Sequence, residues 1–203
     1  MSKQSILRRI QADGLFTVLR NGPASYLPRP LRIIIDRLAI LVLPYLGFTL
    51  VELLFQRAPL LKPQIIVLNY LLYLALLLTC IGLTGRLKRG ARLFILFLWA
   101  AATLNYAVIA FRSTPIVPWD IYSIGTAATV VGNYSFPFTG LYLMVTLCFL
   151  LLFVGAWLLS WRAKSRLRHL AACVSGIILL TSSILYIARP ETKQAFGLDD
   201  TLF

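Results

Sequence analysis

Few side chains in this sequence can do chemistry, and most of them gather in one stretch, Asn105 to Tyr134. Arg112 carries a planar fork of donors suited to a phosphate or a carboxylate. Trp119 is an amphipathic ring of the kind that sits at a membrane interface. Asp120 reads as an N-cap, its carboxylate accepting from backbone N–H groups of a following turn. Pro115 and Pro118 hold the intervening residues extended and block any helix continuation. Downstream, Ile121–Val131 is expected to form a short surface helix, with Gly132-Asn133 as its stop signal. The local physics alone also admits a plainer reading, a structured turn with Trp119 as anchor, Asp120 as cap and Arg112 snorkelling.

A second set of polar residues lies inside apolar runs, where such groups cost free energy. These are Glu52, Asn69, Tyr70, Asn105 and Tyr106. At about 1.5 Å rise per residue, Glu52 lies roughly 5 Å, and Asn105 and Tyr106 about 8–9 Å, from the same end of their respective runs. Three helices would thus bring carboxylate, amide and phenol groups to one depth, where they could form a polar pocket. The alternative is ordinary membrane chemistry: tyrosine in the interfacial belt, asparagine bonding a neighbouring helix, Glu52 reaching outward.

Other chemistry is thin. Cys80, Cys148 and Cys173 are odd in number and lie in apolar runs, with no C-x-x-C spacing, so they indicate neither a disulfide framework nor a zinc site. His169 is a lone histidine beside a basic connector. Asp199-Asp200 are two adjacent carboxylates without further ligands, which is not a metal site. No catalytic residue and no metal ligand is assigned, since no nucleophile stands beside a base and no glycine-rich phosphate loop appears.

The elements that position these groups follow from composition. The chain has 203 residues, 59% hydrophobic, and its mean hydropathy is +0.82. The apolar excess is gathered into runs near the roughly 20 residues that a membrane-spanning helix needs. The expected fold class is all-α, a polytopic membrane protein with five transmembrane helices and the short surface helix. The expected spans are 38–55, 65–83, 93–111, 138–160 and 170–187. Residues 1–37 form a basic N-terminal segment rather than a signal peptide. Pro23, Pro28 and Pro30 are expected to end any regular structure there, and Pro44 to kink the first span. Residues 189–203 form a tail.

Net charge is +13, from 20 basic and 7 acidic residues. The basic residues bunch beside the apolar runs rather than in a stripe with interleaved aromatics, so membrane topology and not nucleic-acid binding is the expectation. Fifteen of them fall in the N-terminal segment and the second and fourth connectors, and five on the opposite side. This asymmetry places the N-terminus in the cytoplasm, and the C-terminus and the Asn105–Tyr134 stretch outside.

The pattern N-Y-x5-R-x-T-P-x-x-P-W-D-x-x-S-I-G-T-A at Asn105–Ala127 resembles the signature of the membrane domain of lipoteichoic acid synthase-like proteins, bacterial phosphoglycerol transferases of the sulfatase superfamily. L-V-E-L-L at Leu50–Leu54, L-N-Y-L-L at Leu68–Leu72, L-T-G-R at Leu83–Arg86 and A-F-G-L-D-D at Ala195–Asp200 agree in order. The resemblance implies a bacterial plasma-membrane protein and an extracellular catalytic domain beyond Phe203. That domain would use a threonine nucleophile and a divalent metal, usually manganese, to move glycerol phosphate from phosphatidylglycerol. No residue here matches its nucleophile or ligands, so this chain is expected to need no cofactor and to be inactive alone. Its implied partners are anionic membrane lipid, above all phosphatidylglycerol, and an extracellular sulfatase-like domain. The other readings are a stand-alone membrane binding or regulatory protein, and a small transporter. Against the transporter, no internal repeat or pair of broken spans is evident.

Overall fold

The computed structural model describes residues 28–55, 63–113, 137–161 and 166–188. Five helices account for nearly all of them: α1 (Arg29–Leu54), α2 (Pro63–Thr84), α3 (Leu87–Arg112), α4 (Gly140–Gly155) and α5 (Arg166–Ala188), with a 3-10 turn at Ala156–Leu158 after α4. Among the described residues there is no strand. Four segments are long and apolar enough to cross a membrane: Arg29–Leu54, Ile66–Thr84, Leu87–Phe111 and Gly140–Leu158. This marks a multi-pass membrane protein. In α5 the described apolar run is shorter, Cys173–Ser182.

Two boundaries differ from the sequence expectation for identifiable reasons. α1 begins at Arg29 rather than near Leu38, because Pro30 falls in its first turn. There a proline's fixed φ favours the helix and its missing N–H costs nothing. Arg32, Asp36 and Arg37 therefore belong to the helix and not to a basic tail. At the other end of the chain, α4 stops at Gly155 and the chain is extended by Leu159, φ −77° and ψ 137°. The backbone is drawn off there to other partners. Ser160 N–H donates to Asp36 Oδ1 at 2.9 Å, and Ser160 Oγ–H to Asp36 Oδ2 at 2.9 Å. The Trp161 carbonyl accepts from Leu87 N–H at 3.1 Å.

α3 is the central element, packed against α1, α2 and α4. Its buried stripe of Leu87, Ala91, Phe94, Ile95, Leu98 and Ala102 follows helical spacing. Glycines allow the closest approaches. A Cβ on Gly47 of α1 would meet Leu98 Cδ1 at 2.6 Å, and one on Gly90 of α3 would meet the Ile81 backbone at 2.7 Å. The α2–α3 turn uses Gly85 at φ 65°, a left-handed conformation natural to glycine. α5 packs on α2, with Gly82 against Cys173 and Gly176 against Thr79. Such small-residue contacts are how membrane helices associate when apolar burial no longer drives them. Outward faces are rich in leucine, isoleucine and valine, including Leu143, Leu147, Leu150 and Leu151 on α4. Lipid is the medium that makes that exposure tolerable.

Candidate functional site

The polar residues expected to act together are distributed along two helix pairs. Asp36 meets Ser160 near the start of α3, and Gly47 meets Phe94 and Leu98 further along. α1 therefore runs in the same direction as α3, and Glu52 points toward the end of the bundle where Asn105, Tyr106 and Arg112 lie. Within the α1–α2 pair, the Tyr73 ring meets Phe48 edge-on at 5.8 Å. Tyr70 Oη donates to the Leu41 carbonyl at 3.2 Å. That carbonyl is adjacent to Ile40, whose helical acceptor role is cancelled by Pro44, which has no N–H. α1 continues as helix through buried Pro44. Asn69 is half-buried on α2. Glu52 and Asn105 are both engaged and neither is free.

The α3–α4 pair carries the more developed arrangement. Tyr106 stacks on Tyr142, ring centroids 5.3 Å apart at 18°. Tyr106 Oη donates to the Pro137 carbonyl at 3.2 Å and lies 3.0 Å from Thr139 Oγ1. Thr139 is the N-cap of α4, accepting from Tyr142 N–H at 3.2 Å. One assignment of protons satisfies every contact. Tyr142 N–H donates to Thr139, the Thr139 hydroxyl donates to Tyr106, and the Tyr106 hydroxyl donates to Pro137. A chain with one direction strengthens each of its bonds by polarisation.

Below it the seam continues at helical spacing. Thr103 Oγ1 and Tyr142 Oη are 3.4 Å apart, and Trp99 Nε1 donates to Thr146 Oγ1 at 3.4 Å. Residues 99, 103 and 106 of α3 thus face 146, 142 and 139 of α4. Sequence reading singled out Tyr106 and missed its partners Thr103, Thr139, Tyr142 and Thr146. The signal was present in the i, i+4, i+7 spacing on α3 and in a threonine directly before the first glycine of α4.

Arg112 is the last residue of α3, and Ser113 closes the helix in a left-handed conformation, φ 60° and ψ 7°, donating its N–H to the Ile109 carbonyl at 2.7 Å. A Cβ in that region is strained by roughly 1–2 kcal/mol, which the bond from Ser113 N–H to the Ile109 carbonyl offsets in part. The tie between Tyr106 and Thr139 fixes where the chain leaves α3 and where it re-enters α4. The Arg112 side chain, Trp119, Asp120, the expected surface helix 121–131, the basic segment 1–27 and the tail with Asp199 and Asp200 lie outside the described residues.

Cys80, Cys148 and Cys173 are free thiols. Among the described residues no group of three or more His, Cys, Asp or Glu could hold a metal ion. Comparison with protein-family models, curated proteins and solved structures found no match.

Proposed function

We propose that this chain is a membrane-anchoring and lipid-headgroup-positioning domain of a lipoteichoic acid synthase-like phosphoglycerol transferase, without catalytic activity of its own. In this reading it crosses a bacterial plasma membrane five times, α5 being the fifth span, with the N-terminus cytoplasmic and the C-terminus outside. The observation that carries the reading is the Asn105–Ala127 residue pattern. Its setting supports it. The pattern starts on the α3 end tied to α4 through Tyr106, and its arginine is the final residue of that helix. Arg112 would contact the lipid phosphate, Trp119 would set depth, and Asp120 would cap the surface helix. Glu52, Asn69, Tyr70, Asn105 and Tyr106 would line the polar approach. The fifteen-to-five division of basic residues supports the orientation.

The test is lipid selectivity of the full chain in nanodiscs of phosphatidylcholine with and without phosphatidylglycerol. One arginine–phosphate contact at the surface is worth about 1 kcal/mol, so Arg112→Gln should weaken the preference for phosphatidylglycerol about fivefold. A variant that retains the parent's preference removes the role assigned to Arg112. Release of diacylglycerol from phosphatidylglycerol by the purified chain would refute the non-catalytic assignment.

A further inference from the structure

Among the described residues, the opposite end of the bundle holds more basic than acidic side chains. α3 begins there with Leu87, Lys88 and Arg89, has no acidic residue in its first turn and no side-chain cap. The positive end of the helix dipole makes cations unfavourable at that position and anions favourable. Yet Lys88 and Arg92, one turn apart, converge on one indole. Lys88 Nζ lies 5.7 Å and the Arg92 guanidinium carbon 5.0 Å from the Trp157 ring centre, with Phe153 also under the guanidinium at 5.5 Å. A ring quadrupole attracts both cations but neutralises neither.

The described residues include two carboxylates, Asp36 and Glu52. Glu52 is at the far end of α1, and both oxygens of Asp36 accept from Ser160. Arg92 Nε and Nη2 are buried with no hydrogen-bond partner among the described residues, as is Nε of Arg32 on the neighbouring α1. A cation that has lost water on one edge and gained no counter-charge is costly, and its remaining outward donors are where an anion would restore the balance.

We propose that Lys88 and Arg92, braced on Trp157 at the start of α3, form a binding site for a phosphate group, carried by an anionic lipid headgroup or free in solution. The site stands on residues at the end of the bundle away from Arg112 and does not depend on the function proposed above. Lys88 supplies a mobile ammonium and Arg92 a guanidinium fixed in orientation by two rings. The α3 N-terminus adds its dipole to the same charge. Trp157, on the 3-10 turn, lies under both cations.

The experiment uses the full chain with Arg112→Gln as background, so that the other end contributes nothing. In the lipid arm, phosphatidylglycerol binding is measured in phosphatidylcholine nanodiscs. In the soluble arm, inorganic phosphate is titrated into detergent-solubilised protein. Lys88→Gln and Arg92→Gln should each weaken binding about fivefold, and Arg92→Lys should retain most of it. Loss in the lipid arm alone assigns the phosphate to a headgroup, and loss in the soluble arm assigns it to a free anion. Thermal unfolding separates a lost site from a lost fold, and Lys88→Gln, at a half-buried side chain, keeps the test open if Arg92→Gln unfolds. Binding in both arms that is indifferent to Lys88→Gln and to Arg92→Gln overturns the proposal.

Discussion

Replacing Gly82 by alanine should loosen α5 from α2, and the structure fixes the size of the effect. A Cβ at Gly82 would lie 2.6 Å from both Cα and N of Cys173, against the 3.4 Å at which ordinary contact begins, a shortfall of about 0.8 Å. The obstructing atoms are backbone, so no rotamer change relieves the clash and the helices must separate. A radial gap of about 0.5–1 Å forfeits a quarter to a half of each dispersion contact along the seam. Overpacking of this kind costs about 1–3 kcal/mol, from which alanine's better helix propensity returns at most about 1 kcal/mol. The net expectation is a loss of about 1–2 kcal/mol. Gly155→Ala supplies the opposite sign, because a Cβ there meets nothing within 4 Å. It should be neutral or stabilising by up to about 1 kcal/mol. The assay is unfolding of the detergent-solubilised chain by SDS titration. A second readout is the maleimide labelling rate of Cys173 in a chain lacking Cys80 and Cys148, which should rise in Gly82→Ala. A Gly82→Ala protein as stable as its parent, with Cys173 labelling unchanged, would refute the packing of α5 described above.

Two further outcomes follow from individual contacts. Tyr106→Phe keeps the stack on Tyr142 but removes the middle of the hydroxyl chain, and should cost about 1 kcal/mol in the same SDS titration. The loss should shrink but not vanish when Thr139 is already alanine, because the bond to the Pro137 carbonyl is then still left to lose, and persistence of the full loss in that double variant would count against the chain. Asp36→Ala strips Ser160 of both its acceptors and should cost about 2–3 kcal/mol, the range for hydrogen bonds to a charged group, while Asp36→Asn should retain a part. Equal stability of Asp36→Ala and the parent would show that Ser160 is satisfied some other way.

The helices were legible in the sequence because bilayer thickness imposes a minimum apolar length, and α1 to α4 all meet it. What the sequence hid depends on where chain ends of helices are tied. Pro30 read as a breaker because its missing N–H is harmful in mid-helix, and harmless in a first turn. Ser160 read as part of a span because its hydrophobic neighbours continue to Leu159, yet its amide is claimed by a carboxylate on another helix. Tyr106 was recognisable as a polar group at depth. That it stacks on Tyr142 and bonds Thr139 required the register of α3 on α4, which no single-helix periodicity contains. Likewise the close approach of Gly176 to Thr79 belongs to two helices together and to neither sequence segment alone.

The Asp36–Ser160 pair joins residues 124 positions apart in the chain. As a nascent chain enters a bilayer from its N-terminus, α1 arrives long before Ser160 exists. Until then the Asp36 carboxylate lacks the two donors that Ser160 supplies. α2 and α3 pack on α1 first, and the segment after α4 then supplies the donors its carboxylate lacks. The segment after the fourth helix reaches back to the first, so truncation within α4 should leave α1 packed on α2 and α3 with the Asp36 carboxylate lacking its Ser160 donors.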